Sequence, residues 1–333
     1  MKENNQLKNY TKVNDIYVSK NDKNIFVNDR ELNRKILDAL SNKEKNILFK
    51  KNYPNYWNMI YSPKREAILE IMEIDHNDEC ADLGSMWGVH TVGLAKRSKK
   101  VFSVDQTYDS LEIVKRRCEI EKLNNVTLIN DDLKKFKINN HFDKILVNGV
   151  LEWIPTIDNV VLSEEYGKFS KKKNSSDPLK MQINFLQNVY DSLKKNGKLC
   201  LAIENRYDYK HFLGSPDPHN NLKFTTILPR FVANIVSKIF LGRNYENYTY
   251  SFAKLEEIFM NLGFKNICLY AVFPHYHEPE LIIHYDNFKF YKRYWDWNNL
   301  KFKSKIKFSI EYIIMKVFRL KFLSPSIIIV ASK

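Results

Sequence analysis

The chain has 333 residues, of which 44% are hydrophobic and 28% are charged, and its formal net charge is +14. This balance is typical of a globular protein and excludes a chain that is disordered throughout. Lysine and asparagine are spread along the whole sequence, so the positive charge alone does not identify a nucleic-acid-binding face.

The beginning of the chain shows no targeting signal. The stretch MKENNQLKNYTKVNDIYVSK lacks the apolar segment of a secretory signal peptide, and no window of the sequence is apolar over the length that spans a bilayer. The four cysteines are far apart and form no CxxC pair, so we predict neither a zinc site nor a disulfide framework. These features predict a cytoplasmic protein, with peripheral contact at the inner face of the membrane left open.

The first two segments differ in character. Residues 1–27 are polar and are predicted to be a flexible N-terminus. Residues 28–75 are predicted to form an N-terminal helical lid. In this segment Ile36 and Leu40 stand at helical spacing and predict one continuous helix. Ser62 precedes a proline, which is typical of the start of a further helix.

From residue 76 to residue 333, short apolar segments alternate with amphipathic ones, and we predict a single domain. The predicted strands lie near 79–83, 100–104, 125–129, 143–148, 197–203, 265–273 and 325–333, and the predicted helices lie near 88–97, 108–122, 179–195 and 251–263. Apolar strands separated by helices predict a mostly parallel sheet that is covered on both faces. The expected fold is therefore α/β, Rossmann-like and doubly wound, with seven strands and with insertions after strands 5 and 6, at about 204–249 and 274–324.

A turn between the first two of these strands has the features of a nucleoside site. The first strand ends at Asp82 and Gly84, where a glycine lets the backbone approach a ligand, and Gly88 opens the next helix. Asp105 ends the second strand, where a carboxylate can accept both hydroxyls of a ribose. The segment GSMWG lacks the GxGxxG spacing of dinucleotide sites. In addition, Asp82 would repel a pyrophosphate but could orient an ammonium group.

This turn resembles motif I of the class I S-adenosylmethionine-dependent methyltransferases, acid-x-Gly-x-Gly-x-Gly, with Met86 in place of the middle glycine. Later segments, NVTLINDDLKKF, FDKILVNGVLEWIP and LKKNGKLCLAIENR, extend the resemblance over roughly residues 60–210. The resemblance implies the class I methyltransferase fold and S-adenosyl-L-methionine as cofactor, with the adenine amino group on Asp132. The residues expected to bind this cofactor are Asp82, Gly84, Ser85, Gly88, Asp105, Gln106, Asp131, Asp132, Leu133, Asn148 and Gly149. An isolated aspartate is more often a helix cap or a loop acid, but acids at three successive strand ends favour a site.

A hydroxyl acceptor needs a group that takes up its proton, and ligands of open α/β sheets collect at the carboxyl ends of strands. The candidate catalytic residues are Glu204, His219, His275 and His277, beside Glu278. The candidate substrate-binding residues are Tyr61, Arg65, Glu152, Trp153, Asn205 and Arg206. The alternative is that the two histidines of FPHYHEP are surface residues and that the Glu-Trp pair serves packing. The His-x-His-Glu spacing alone is weak support for a metal, and we predict none.

A narrower resemblance concerns the acceptor. The segments YSPKREAIL, LGSPDPH, YSFAKLEEIFMNLGF and LSPSIIIVASK are similar to those of bacterial methyltransferases associated with surface-polysaccharide and glycosyltransferase systems. This similarity implies a glycan or glycolipid acceptor and a glycosyltransferase partner. One alternative is an RNA methyltransferase that stacks bases on Tyr294, Trp295 and Trp297, although no RNA-binding module is recognisable. Another is a non-catalytic partner protein, which the Met86 substitution would favour. The basic amphipathic segment 305–322 fits either a membrane surface or the protein's own core.

Overall fold

The computed structural model describes residues 7–20, 30–156, 177–286, 290–293, 302–313 and 319–333. The strands are β1 (Tyr10–Val13), β2 (Ile16–Ser19), β3 (Glu79–Leu83), β4 (Lys100–Asp105), β5 (Val126–Asn130), β6 (Phe142–Asn148), β7 (Leu193–Glu204), β8 (Lys265–Phe273), β9 (Leu281–His284), β10 (Phe290–Arg293) and β11 (Ser326–Ser332). The α-helices are α1 (Arg30–Ala39), α2 (Lys43–Asn52), α3 (Pro54–Tyr61), α4 (Ala67–Ile71), α5 (Val89–Ala95), α6 (Tyr108–Ile120), α7 (Pro178–Ser192), α8 (Tyr209–Phe212), α9 (Arg230–Leu241), α10 (Phe252–Asn261) and α11 (Phe302–Tyr312).

The strands form one sheet in the order β1-β2-β5-β4-β3-β6-β7-β11-β8-β9-β10. The run from β5 to β7 is parallel, and β11 lies antiparallel between β7 and β8. The seven strands predicted from the sequence occupy the middle of this sheet, and the mostly parallel arrangement is confirmed. Because β3 has β4 on one side and β6 on the other, the direction of winding reverses at β3, which is where open sheets bind ligands.

The strand count was predicted wrongly, since the described residues contribute eleven strands. The hairpin β1–β2 joins one edge through parallel pairing of β2 with β5, and β9 and β10 extend the other edge beyond β8. These strands have only four residues each, too few for an alternating pattern to stand out. Asn14 and Asp15, with φ of 47° and 67°, form the tight turn of the first hairpin. The prediction of a flexible terminus at 1–27 is therefore wrong for residues 10–19.

The helices before β3 also differ from prediction. The expected continuous helix is divided after α1, because the side chain of Asn42 accepts a hydrogen bond from the backbone N–H of Lys45 at 2.8 Å and starts α2. Ser62 makes no side-chain capping bond, and a 3₁₀ turn follows it. Helices α1 to α3 bury an apolar cluster that includes Ile36 and Trp87, and the lid function remains a prediction.

The two faces of the sheet are both buried. Ala81 and Leu83 of β3 belong to one apolar cluster, whereas Cys80 of the same strand belongs to another. Successive side chains of a strand point to opposite faces, so each face of the sheet carries its own core. This arrangement confirms the doubly wound α/β prediction.

The first insertion, at about 204–249, contains the helices α8 and α9. The outer face of α9 exposes Phe231, Ile235, Ile239 and Phe240. None of the helices in the described parts of the chain combines the length and the hydropathy that a bilayer crossing requires. Residues 294–301, which include the aromatic residues proposed to stack on RNA, lie outside the described residues.

Candidate active site

A cavity of about 560 Å³ opens at the carboxyl ends of β3, β4, β6 and β7. This volume lies within the range of small-molecule sites. The residues predicted for the site that line it are Arg65, Gly84, Ser85, Asp105, Gln106, Leu133, Asn148, Gly149, Trp153, Glu204, His219, His275 and His277. Residues predicted for the cofactor and residues predicted for the acceptor, from distant parts of the sequence, therefore line one cavity.

The turn after β3 keeps the backbone of a glycine motif without its middle glycine. Met86, at the position of that glycine, has φ of 45°, and Gly84 and Gly88 flank it with φ of 82° and 72°. A Cβ on Gly84 would lie 2.3 Å from Cγ2 of Val150, and one on Gly88 would lie 2.9 Å from Cγ2 of Val114. Met86 thus has a positive φ like the two glycines beside it, so the tight turn forms without a middle glycine. The side chain of Met86 is part of the cavity wall.

Asp105 fastens this turn to the end of β4. Its Oδ2 accepts the backbone N–H of Met86 and its Oδ1 accepts that of Thr107, both at 2.8 Å. Burial raises the pKa of Asp105, and the two backbone N–H groups oppose that rise. Each carboxylate oxygen retains a second lone pair, so Asp105 can accept further hydrogen bonds from a ligand in the cavity.

Six buried polar atoms of the cavity lining have no hydrogen-bond partner among the described residues, and two of them lie in the turn after β3 and at the end of β6. These two are Oγ of Ser85 and Oδ1 of Asn148. A buried polar group without a partner costs about 1–3 kcal/mol. A ligand with hydroxyl and ammonium donors would supply these partners, so the wall fits a nucleoside that carries an amino acid.

The three acids predicted to converge on one nucleoside do not do so. Asp82 is buried beneath the turn, where it accepts a hydrogen bond from Oγ1 of Thr91 at 2.6 Å, and burial raises its pKa to about 7. Asp131 accepts a hydrogen bond from the hydroxyl of Tyr10. Asp132 lies near two lysines, with Nζ of Lys135 at 3.5 Å. Among these acids and Asp105, only Asp105 lines the cavity, and Gly88 does not line it either.

The other end of the cavity carries a cluster of acids around one histidine. Nδ1 of His219 lies 2.9 Å from Oδ1 of Asp217, and its Nε2 lies 3.6 Å from Oε2 of Glu204. Tyr276 donates its hydroxyl hydrogen to Oε1 of Glu152 at 3.0 Å. Burial alone would lower the pKa of His219, but the charges of Glu204 and Asp217 outweigh it and raise that pKa to about 9. Burial and the charge of Glu204 raise the pKa of Glu152 well above its ordinary value.

Trp153 packs against this cluster, with its ring centroid 4.8 Å from that of His219. His277 is held neutral, because burial and the charge of Arg65 lower its pKa well below the usual value. Both side chains line the cavity, as His275 does. The alternative that His275 and His277 are surface residues is therefore wrong, whereas their role in catalysis remains a prediction.

Four residues predicted for the acceptor lie outside the cavity lining. Glu152 is buried behind it, and the hydroxyl of Tyr61 accepts a hydrogen bond from Asn46 at 2.9 Å. Asn205 donates to the carbonyl oxygens of residues 322 and 324 at 2.6 and 2.7 Å. Arg206 donates to those of residues 226 and 228 at 2.9 and 2.7 Å. Asn205 and Arg206 thus hold the insertions in place.

Several cavity residues were not predicted. They include Asn55, Asn58, Met59, Trp87, His90 and Tyr276. Tyr276 stands between the two predicted histidines, so the motif FPHYHEP was the signal that could have identified it. A Cβ on Gly149 would lie 2.3 Å from the Tyr276 hydroxyl oxygen, so the glycine leaves room for this tyrosine to reach the acids. The residues of α3 carried no comparable pattern.

His90 should make the fold sensitive to acid. Its buried Nε2 lies 3.0 Å from the carbonyl oxygen of Arg65, and burial together with the charge of Arg65 lowers the pKa of His90 to about 3. The unfolded chain binds a proton at this residue below about pH 6.5. The folded chain does so only near pH 3, so the free energy of unfolding falls as the pH drops between these values.

Between pH 6.5 and pH 4 we expect this loss to reach about 3 kcal/mol, at about 1.36 kcal/mol for each pH unit. Urea unfolding between pH 7.5 and pH 4 measures it, with His90→Asn as the comparison. The variant should be less stable at neutral pH but should lose less stability on acidification. If the free energy of unfolding fell equally with pH in the two proteins, His90 would not be the cause of the acid sensitivity.

Comparison with known families supports the methyltransferase prediction. Residues 81–173 match the family described as Methyltransferase domain. The match covers less than a third of the chain, and it supports an enzyme that uses S-adenosylmethionine as methyl donor. A stretch of 90 residues is 32% identical to a protein of Methanosphaera stadtmanae named Probable ribosomal RNA small subunit methyltransferase A, covering 27% of this chain and 33% of the relative. The chain thus matches about a third of the length of that relative.

Two solved structures are also similar. Phosphoethanolamine N-methyltransferase 2 of Haemonchus contortus, in complex with S-adenosyl-L-methionine, is 15% identical, with 82% of this chain and 52% of that chain covered and a TM-score of 0.46. A methyltransferase candidate of Bacillus halodurans is 16% identical, with 81% and 98% covered and a TM-score of 0.43. At these TM-scores neither structure identifies an acceptor for this chain.

Proposed function

We propose that this protein, whose residues 81–173 form an S-adenosylmethionine-dependent methyltransferase domain, transfers a methyl group to a hydroxyl group of a neutral, polyhydroxylated acceptor such as a glycan. The observation that carries the proposal is the single cavity that joins the turn after β3 to the acid and histidine cluster. One end has the features of a donor site, and the other has proton-accepting groups.

The donor end would hold the nucleoside through Asp105 and the unpartnered Ser85 and Asn148. When bound, S-adenosylmethionine supplies a methyl group that is activated by the positive sulfonium. The acceptor oxygen forms a bond to the methyl carbon while the carbon–sulfur bond breaks, and the electron pair of that bond stays on sulfur. The hydroxyl proton leaves to the carboxylate of Glu204, beside the imidazole of His219, and from there to water. Much of the rate enhancement then comes from positioning the two reactants.

The charge of the acceptor end supports a neutral acceptor. Glu204 lines the cavity beside His219, and its carboxylate would accept hydrogen bonds from hydroxyl groups but would repel a phosphate. The indole face of Trp153 adds an apolar surface on which a sugar ring can pack. These features favour a glycan over RNA, even though the whole chain is basic.

The RNA alternative keeps one observation in its favour, the partial similarity to the Methanosphaera protein named as a ribosomal RNA methyltransferase. The Met86 substitution gives a non-catalytic role little support, because Met86 has a φ of 45°, in the left-handed region that favours glycine, and so keeps the turn. A glycosyltransferase partner remains a prediction. Contact with a membrane surface remains one too, and the exposed apolar side chains of α9 are compatible with it. Failure of the protein to co-sediment with anionic vesicles would count against membrane contact.

Isothermal titration of the full chain with S-adenosylmethionine, S-adenosylhomocysteine and NADH tests the donor site. We expect one molecule of either sulfur compound to bind and NADH not to bind, and the reverse result would overturn the proposal. Incubation with methyl-labelled donor and separate polysaccharide and RNA fractions tests the acceptor. Label that enters the RNA fraction and is released by ribonuclease would refute the glycan acceptor.

A further inference from the structure

Three side chains at the acceptor end come from separate segments of the chain. Glu152 lies in the 3₁₀ turn after β6, Glu204 ends β7, and His219 belongs to the first insertion. One ligand atom from each lies within 4.8 Å of the other two. Ligands of one metal ion, bound at about 2.0–2.2 Å, stand at comparable separations from one another. Small side-chain rotations would therefore bring all three atoms into bonding distance of a single ion.

Each carboxylate has an oxygen that no neighbouring donor among the described residues reaches, so the two acids can only share a proton with each other or bind a cation. Oε1 of Glu152 accepts the hydroxyl hydrogen of Tyr276, but its Oε2 has no hydrogen-bond partner among the described residues. The Glu152 side chain is 0% exposed, so solvent does not satisfy this oxygen. Oε2 of Glu204 likewise has no hydrogen-bond partner in the described parts of the chain. A buried carboxylate oxygen left in this way is costly unless a donor or a cation reaches it.

The histidine is oriented in the way that metal-binding histidines are. Nδ1 of His219 is bonded to Asp217 at 2.9 Å, which leaves Nε2 directed toward Glu204. Asp217 is itself fixed by the hydroxyl of Tyr245 at 3.1 Å and by Nδ2 of Asn220 at 2.9 Å. A carboxylate that holds one ring nitrogen while the other binds the ion is the usual support of a histidine ligand.

From these contacts we propose that Glu152, Glu204 and His219 bind one divalent cation of the first transition series at the acceptor end of the cavity. One imidazole and two carboxylates suit Mn²⁺ to Zn²⁺ better than Mg²⁺ or Ca²⁺, which favour oxygen ligands alone. Glu204 and His219 line the cavity, so coordination positions on that side stay open. A site with three protein ligands and an open position is typical of catalytic metals.

The use of this ion rests on the proposed function, whereas its binding does not. Two neighbouring hydroxyl groups of the acceptor could occupy the open positions, and the positive charge would ease loss of the proton from the methylated oxygen. The acceptor class then narrows to compounds with adjacent hydroxyl groups. The sequence prediction considered only the His-x-His-Glu spacing, in which none of the three ligands lies.

The test measures Mn²⁺ binding to the chelator-treated full chain by electron paramagnetic resonance of the free ion. We expect one site per chain, at which Zn²⁺ competes and equimolar Mg²⁺ does not. Glu152→Gln, Glu204→Gln and His219→Ala should each weaken Mn²⁺ binding at least tenfold. Asp217→Asn should weaken it by about 10- to 100-fold, as is typical when the support of a ligand is lost. Glu246→Gln, a buried acid outside the cluster, is the matched control and should bind as the wild type does.

A second readout covers the case in which a variant folds poorly. Co²⁺ bound to the wild type should show visible absorption bands that Zn²⁺ abolishes, and circular dichroism reports the folding of each variant. Absence of stoichiometric Mn²⁺ binding, equal binding by the cluster variants and the wild type, or displacement by equimolar Mg²⁺ would overturn the metal site. Donor titration without metal distinguishes the two proposals. If the chain binds S-adenosylmethionine but not Mn²⁺, only the metal site is refuted. If it binds Mn²⁺ but not S-adenosylmethionine, only the methyltransferase activity is refuted.

Discussion

His219→Ala is expected to lower the turnover number for methyl transfer by about 10²- to 10⁴-fold, the usual contribution of a group that handles the proton of the reacting atom. The variant removes the only imidazole that joins Glu204 to Asp217 in this cluster. The loss follows whether the charge of His219 holds Glu204 ready to accept the proton or the imidazole binds a cation that acidifies the hydroxyl. Initial rates with labelled donor and the active acceptor fraction measure the effect.

The affinity for the donor provides the internal reference. Because His219 lies at the acceptor end, the dissociation constant for S-adenosylmethionine in His219→Ala should stay within about threefold of the wild-type value, equivalent to less than 1 kcal/mol. His211→Ala is the matched control, since this buried histidine of α8 has its Nδ1 3.3 Å from the carbonyl oxygen of Ser215 and does not line the cavity. If His219→Ala retained more than a tenth of the wild-type rate, the cluster would not be the proton-accepting site.

Asp105→Ala is expected to weaken S-adenosylmethionine binding by about 100-fold or more. The carboxylate holds the turn after β3 through the backbone N–H of Met86 and is the acid that lines the donor end of the cavity. Hydrogen bonds to a charged group are worth about 1.5–3 kcal/mol each, and each 1.4 kcal/mol changes an affinity by about tenfold. Isothermal titration measures the loss directly.

The control for this prediction is Asp132→Ala. The sequence predicts Asp132 as the partner of adenine, but its carboxylate is near Lys134 and Lys135 and outside the cavity lining. We expect Asp132→Ala to change the donor dissociation constant by less than about threefold. An equal loss in both variants would mean that adenine reaches Asp132 after a rearrangement. Unchanged binding in Asp105→Ala would remove the donor site from this end of the cavity.

The central strands were predictable because their signal is local. The apolar segments of β3 to β8 and of β11 all appear where the sequence predicts them, since a strand buried on both faces needs a continuous apolar run. The hairpin β1–β2 was not predicted, because a strand of four residues is too short to show an alternating pattern. The pair Asn14 and Asp15 nevertheless suited its tight turn. Parallel pairing of β2 with β5 joins residues too distant in sequence for local pattern to indicate.

The donor site shows where local reasoning fails. Asp105, at the end of a strand, lines the cavity as predicted, whereas Asp82 and Asp132, at the ends of neighbouring strands, do not line it, and their contact with the donor stays a prediction. A strand position establishes only which end of the sheet a residue occupies. Whether a carboxylate then faces a cavity, a neighbouring threonine or a surface lysine depends on the packing of other segments.

The sequence by itself determined the α/β class and the positions of the central strands, because apolar periodicity acts between near neighbours. Only the tertiary structure decided that Glu152, Glu204 and His219 meet at one point, with Asp217 and Tyr276 behind them. These residues belong to four segments that have no shared pattern. Their proximity results from the order in which strands and insertions pack, and the resulting exclusion of water leaves two carboxylate oxygens without hydrogen-bond partners among the described residues.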